Sequence, residues 1–235
     1  MIKYGFNARY KHDLQNEIAL AKENGFDFLQ LYYRGDCQEL DRLSADEGKI
    51  KEGNFPVIIH AVIDIAEFET AIPRISQILK NLNLSELIIH PVNSKKLVST
   101  ELIPKIEKTL ASLSEITVFL ENNSRLDPVF QTQTEIKMMF ENNPRLELLL
   151  DLAHIDDYDH LGQIITIKAP KILHISDRHL EVIHEHLPIG MGNIDFKKIF
   201  KEFLPSFDGR VIFEISSGFD DILESRTKIM GFING

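Results

Sequence analysis

The stretch LELLLDLAH, residues 146–154, is a short apolar run that ends in a carboxylate, Asp151, followed three residues later by an imidazole, His154. Burying either group alone is costly, so a core strand that ends this way needs a partner for it. The same grammar recurs in VIIHAV (57–62), ELIIHPV (86–92), TVFLENN (117–123), KILHISD (171–177) and RVIFEIS (210–216). These runs deliver His60, His90, Glu121, Asp151, His154, His174 and Glu214 at the ends of successive expected strands. All are metal-binding types, and a divalent ion at a common focus is the simplest way to satisfy them.

Working outward, apolar and β-branched runs recur at about 2–7, 27–33, 56–62, 86–92, 116–122, 146–152, 171–176 and 210–216. Between them lie helical rhythms. Ile18, Leu20 and Ala21 lead to Gly25; Ile72, Ile75, Ile78, Leu79 and Leu82 form a second stripe. Ile103, Ile106, Leu110 and Leu113 follow with Pro104 in the first turn, Phe196, Ile199, Phe200 and Phe203 precede Pro205, and Ile222, Leu223, Ile229 and Met230 close the chain. Eight βα units in 235 residues predict one α/β domain over 1–235, a (β/α)8 TIM barrel with its active site at the C-terminal ends of the strands. No GxGxxG supports an open dinucleotide-binding sheet. The second unit is the weakest: residues 37–54 are charged and predict a long loop with a short helix.

Composition narrows the function. Hydrophobic residues make up 43% and charged ones 26%, ordinary for a chain that buries a core. No apolar run reaches the roughly 18 residues of a membrane span. MIKYGFNARYKHD lacks a secretory signal, and Cys37 is the single cysteine, so the expectation is a cytoplasmic protein without disulfides. A net charge of −10 argues against nucleic acid. The densest basic spots are the pairs Lys95–Lys96 and Lys197–Lys198, the latter beside Asp195 and Glu202. Cys37 has no catalytic partner, and no nucleophile elbow is present.

Each site residue also has a plainer reading. Glu121 could cap a helix through the turn formers Asn122, Asn123 and Ser124, and Asp151 could be an N-cap. Glu214 sits inside a β-rich run with no turn beside it. If the chain enters a helical turn after Asp151, His154 projects to the same side. Asp177 is expected to orient an imidazole or cap a loop. Within 178–195 (RHLEVIHEHLPIGMGNID), His184 and His186 alternate onto one side of an extended loop, with His186 the stronger functional candidate. His179 and His184 read equally as loop surface. Gly190 and Gly192 allow a tight fold over the barrel mouth and could offer amides to a phosphate, and Asp195 is an expected helix cap. His12 and His160 read as surface or capping residues.

On LENN (120–123), DLAH (151–154), HISD (174–177) and EHLPIGMGNID (185–195), nearly the whole chain resembles the xylose isomerase-like TIM barrel superfamily, which includes sugar isomerases and epimerases and the endonuclease IV enzymes. The epimerase branch implies a single divalent ion (manganese, zinc, cobalt or magnesium) on Glu121, Asp151, His174 and Glu214. Glu121 and Glu214 then exchange substrate protons through an enediolate, and His154 binds the sugar. The endonuclease IV branch implies up to three zinc ions: His60, His90 and Glu121 in one site, Glu121, Asp151, His174 and Glu214 in the next, and His154, His184 and His186 in the third. The chain departs from that branch at His184, where those enzymes carry Asp, and it lacks their aromatic and basic DNA-inserting loops. The expectation is a metal-dependent isomerase or epimerase of a small sugar, sugar phosphate or polyol. The alternatives are a multi-zinc phosphodiesterase acting on abasic DNA and a barrel that only binds sugar or metal. A homo-oligomer is left open.

Overall fold

The computed structural model describes residues 1–9, 12–34, 37–94, 99–126 and 129–234. The Lys95–Lys96 pair lies outside the described residues, as do the side chains of Cys37 and Ile103.

Eight parallel strands close into a barrel in simple sequence order. They are β1 (Lys3–Asn7), β2 (Phe28–Arg34), β3 (Val57–Asp64), β4 (Glu86–Val92), β5 (Thr117–Glu121), β6 (Glu147–Asp151), β7 (Pro170–Ile175) and β8 (Arg210–Phe213). Closure runs from Lys3↔Arg210 to Phe6↔Phe213. Around them pack α1 (Leu14–Glu23), α2 (Cys37–Gly53), α3 (Phe68–Leu82), α4 (Ser99–Leu110), α5 (Gln133–Asn142), α6 (Tyr158–Ile167), α7 (Phe196–Lys198) and α8 (Phe219–Asn234). The predicted fold is the one observed. No helix among the described residues is long and apolar enough to cross a membrane.

The segment 37–54 differs from its prediction, because α2 is a helix of 17 residues. Its apolar stripe is sparse, Leu40, Leu43 and Ile50, yet all three are buried. A helix on the outside of a barrel needs only one covered face. Beside that stripe Arg42 pairs with Glu39 and Lys49 with Asp46, each one turn apart. The seventh follower is shorter than its stripe suggested: α7 gives way at once to a π-helical turn, Ile199–Phe203.

Side chains alternate in and out along a strand, and the barrel turns that alternation into layers. Phe28, Ile58, Ile88, Phe119, Leu149, Ile172 and Ile212 form an apolar plug inside the barrel, separate from the larger core between strands and helices. On β1 the matching position is Gly5, where an added Cβ would lie 2.6 Å from the Phe28 ring; that space is filled by the aromatic side chain. Two residues further along every strand stand Asn7, Gln30, His60, His90, Glu121, Asp151, His174 and Glu214. The polar ends therefore form the next layer up, one pleat above a dry floor.

Candidate metal centre

Gln30 is an uncharged member of this layer. Its amide nitrogen donates to Glu214 Oε1 and lies 3.1 Å from His60 Nδ1, while its Oε1 lies 2.8 Å from His174 Nε2. A carboxylate only accepts, so Glu214 fixes which end of the amide is nitrogen. His174 Nε2–H then donates to Gln30 Oε1, leaving Nδ1 to face the carboxylates. Nδ1 is 3.2 Å from Glu121 Oε1, 3.5 Å from Glu214 Oε2 and 3.7 Å from Asp151 Oδ2. Glu121, Asp151, His174 and Glu214 thus offer four donor atoms within 4.8 Å of one another. Asp151 also caps the turn Leu152–His154 by accepting from Ala153 N at 2.6 Å, so its capping and inward-facing roles coexist.

Glu121 is fully buried and divides its carboxylate. Oε1 faces His174, and Oε2 lies 2.9 Å from His60 Nε2 and 3.1 Å from His90 Nδ1. The plainer reading of Glu121 as a cap is not what forms; the neighbouring asparagines do the local structural work. Asn122 exchanges side-chain hydrogen bonds with the backbone of Asp151, and Asn123 donates to Pro91 O at 2.7 Å. They tie the end of β5 to both neighbours and hold Glu121 inward.

A third set sits above. His154 Nδ1 meets the Asn122 carbonyl at 2.9 Å, which leaves Nε2 unprotonated when the ring is neutral. His186 Nδ1 lies 3.1 Å from the Glu214 carbonyl and 2.9 Å from Ser176 Oγ, which turns its Nε2 the same way. That atom is 3.1 Å from His184 Nε2, and the three rings form a group of potential ligands.

Crowding dictates protonation. Burial opposes charge on His174, but Glu214 and Glu121 outweigh it and hold its pKa well above the usual 6.5. His60 is raised in the same way, against its burial, by Glu121 and Glu214. Burial would raise Glu121 and Glu214, yet the facing histidines hold both below the usual carboxylate range. His184 goes the other way: burial, then its neighbours His186 and His154, push it down to about 4. His60 Nε2 and Glu121 Oε2 face each other at 2.9 Å, and His154 Nε2 and Asp151 Oδ2 at 3.5 Å, all four buried and without a well-aligned hydrogen bond among the described residues. Imidazole nitrogens and carboxylate oxygens that converge in this way, with little else to bond, fit divalent cations.

Other candidates fall outside the cluster. Asp177 caps the following loop, accepting from Arg178 N and Ile194 N on one oxygen and Gly190 N on the other. Met191 N bonds Pro188 O and Asn193 N bonds Arg178 O, so the Gly190–Gly192 turn uses these amides internally and makes no phosphate cradle with them. Asp195 caps α7 as expected. His179 pairs with Glu185 at 3.1 Å, and His12 is exposed, 3.6 Å from Glu17. His160 is not a surface residue: it is buried, accepting from Asp156 N and bonding Gln131 O, and so joins two loops. Gln30 is the residue the sequence pattern passed over. Its signal was present, a polar residue two positions after Phe28 in the apolar run FLQLYY.

The cluster opens into a cavity of about 980 Å³. The matched structures include a D-tagatose 3-epimerase-like protein (TM-score 0.74, 17% identity, 99% of this chain and 97% of that one). Endonuclease IV from Thermus thermophilus aligns with TM-score 0.69 and 16% identity over 99% of each chain. The TTHB071 protein from the same organism, soaked with ZnCl2, aligns with TM-score 0.73 and 14% identity over 99% and 98%. At these identities the likeness is one of fold. No curated protein sequence matches the chain. The family model for the xylose isomerase-like TIM barrel matches residues 18–229, and the chain belongs to that family.

Proposed function

We propose that this protein hydrolyses a small phosphate ester with a cluster of divalent ions, which Glu121 and the donors around it would hold. The observation that carries the reading is the division of the Glu121 carboxylate, with Oε1 toward His174 and Oε2 toward His60 and His90. A carboxylate placed between two sets of donors would serve both in holding divalent cations. Asp151, His174 and Glu214 complete one position, His60 and His90 the second, and His154, His184 and His186 a third. Divalent ions there supply Lewis acidity and offset negative charge on a reacting phosphoryl group. The mixed imidazole and carboxylate donors suit zinc, cobalt or manganese, and the all-imidazole set favours zinc over magnesium. The chain's own part is to hold these donors fixed through Gln30 beside them, above an apolar floor that keeps water out from beneath.

The cavity has the size of a small-molecule site. Along its wall Arg9 is bound to Glu17, Arg42 to Glu39 and Lys49 to Asp46. Paired charges of this kind do not make the basic stripe that follows a phosphodiester backbone, and the net charge is −10. A compact ester suits this wall better than DNA.

One observation favours sugar isomerisation or epimerisation instead. Glu121, Asp151, His174 and Glu214 are by themselves a complete donor set for one ion. That chemistry needs Glu121 and Glu214 to take and return a carbon-bound proton. Against it, both Glu121 oxygens are turned toward histidines. Metal quantification on protein purified without chelators, with assays on an activated phosphodiester, abasic duplex DNA and ketohexoses, separates the readings. We expect two to three ions per chain and ester cleavage. One ion, with proton exchange between sugar carbons and no cleavage, would replace hydrolysis with isomerisation. Glu214→Ala is expected to abolish turnover in both cases; retained activity would place the chemistry elsewhere.

A further inference from the structure

The largest fully buried side chain is a cation that the mechanism above does not use. Arg178 is 1% exposed, and among the described residues its guanidinium meets backbone carbonyls rather than a carboxylate. Nη1 donates to Val182 O at 2.7 Å and to Ile183 O at 2.9 Å; Nη2 donates to Ile155 O. Nε has no partner among the described residues. A charge buried on these terms is expensive, and an apolar side chain could fill the space at lower cost.

The three carbonyls explain its presence. Ile155 follows His154, and Val182 and Ile183 immediately precede His184. The two histidines stack with ring centroids 5.3 Å apart, although they come from loops after different strands. The segment before His184 has little apolar anchorage of its own, since Val182 is 39% and Ile183 47% exposed. A planar fork of donors can gather carbonyls from two loops at fixed angles, as a point charge cannot. The base of the fork is itself held: Asp177 accepts from Arg178 N, and Asn193 N bonds Arg178 O.

We infer that Arg178 is a positioning residue that assembles the His154–His184–His186 cluster by locking the loop after β6 to the loop after β7. The inference rests on the reading of that cluster as an ion site. The test is a titration of metal-free wild type, Arg178→Met and Arg178→Lys with cobalt(II) and zinc(II), followed by visible absorption and calorimetry. Circular dichroism and thermal melting report whether each variant folds. In Arg178→Met the ion at the three imidazoles is expected to bind at least about tenfold more weakly, as for other outer partners of metal ligands, while the carboxylate-rich position keeps its affinity. Arg178→Lys should recover part of the loss, and it carries the test alone if the Met variant does not fold. Unchanged affinity at the imidazole position in a folded variant would overturn the inference and leave the functional reading standing. A wild type that binds ions elsewhere but none at the three imidazoles would overturn the inference alone, and one that binds no ion at all would overturn both.

Discussion

Gln30 shows how one neutral side chain can organise several charged ones. It touches His60, His174 and Glu214 within their own layer, and each contact limits which nitrogen or oxygen is left to face the centre. Gln30→Leu keeps the approximate volume and removes all three contacts. We expect a folded protein that binds zinc about 10- to 100-fold more weakly, measured by competition with a chromophoric chelator. Wild-type affinity would mean that the ligands orient themselves without Gln30. Glu121→Gln probes the shared carboxylate directly, because an amide cannot serve as an anionic acceptor on both sides. Its ion content should fall by at least one per chain, and ester cleavage should disappear. At this scale the converging residue types were legible because a His or carboxylate after an apolar run is conspicuous. Gln30 and Asn7 obey the same two-residue offset from Phe28 and Gly5, but an amide in a strand draws less notice than a charge.

Among the elements, the loop between β7 and α7 carries Arg178, His184 and His186. Two close glycines announced a tight fold, and the structure supplies the reason for the second. A Cβ on Gly192 would lie 2.5 Å from the backbone carbon and oxygen of Arg178. Gly192→Ala must push the loop away from the residue whose side chain holds Ile183. A loss of about 1–3 kcal/mol is expected from such overpacking, read as a lower denaturation midpoint, together with weaker binding at the three imidazoles. If stability and metal binding both match wild type, the loop is more yielding than its packing implies. The turn was readable from composition, but its support was not, because an arginine in HISDR reads as surface until its burial is seen. Helix α2 was hidden for a related reason: three buried apolar residues in a 17-residue helix fall below the rhythm that marks a helix in sequence.

For the molecule as a whole, the barrel gathers six histidines and three carboxylates above one floor, so stability and pH must be linked, and any ion that binds there joins the linkage. In the metal-free protein His174 has its pKa raised above 6.5; its stabilising contribution is complete below that value and is lost as pH rises through the folded pKa. His60 acts in the same direction. Glu121 and Glu214 are depressed below 4.5, so their contribution is present above that value and lost as pH falls through the folded pKa. His184, lowered to about 4, opposes acid as well, since the unfolded chain takes up its proton first and stability declines from 6.5 toward 4. Together these groups place the greatest stability of the metal-free protein on the mildly acidic side of neutrality, with a fall toward alkaline pH. Ions reverse the alkaline limb, because they need His60 and His174 unprotonated and compete better as those protons leave. Melting temperatures across pH, with and without zinc, should show an optimum that moves upward on loading. Calorimetry in buffers of different ionisation enthalpy should register protons released as zinc binds near neutral pH. An optimum that stays in place, with no proton release, would mean that ions do not enter among these histidines, and the cluster would then be a buried charge network rather than a metal centre.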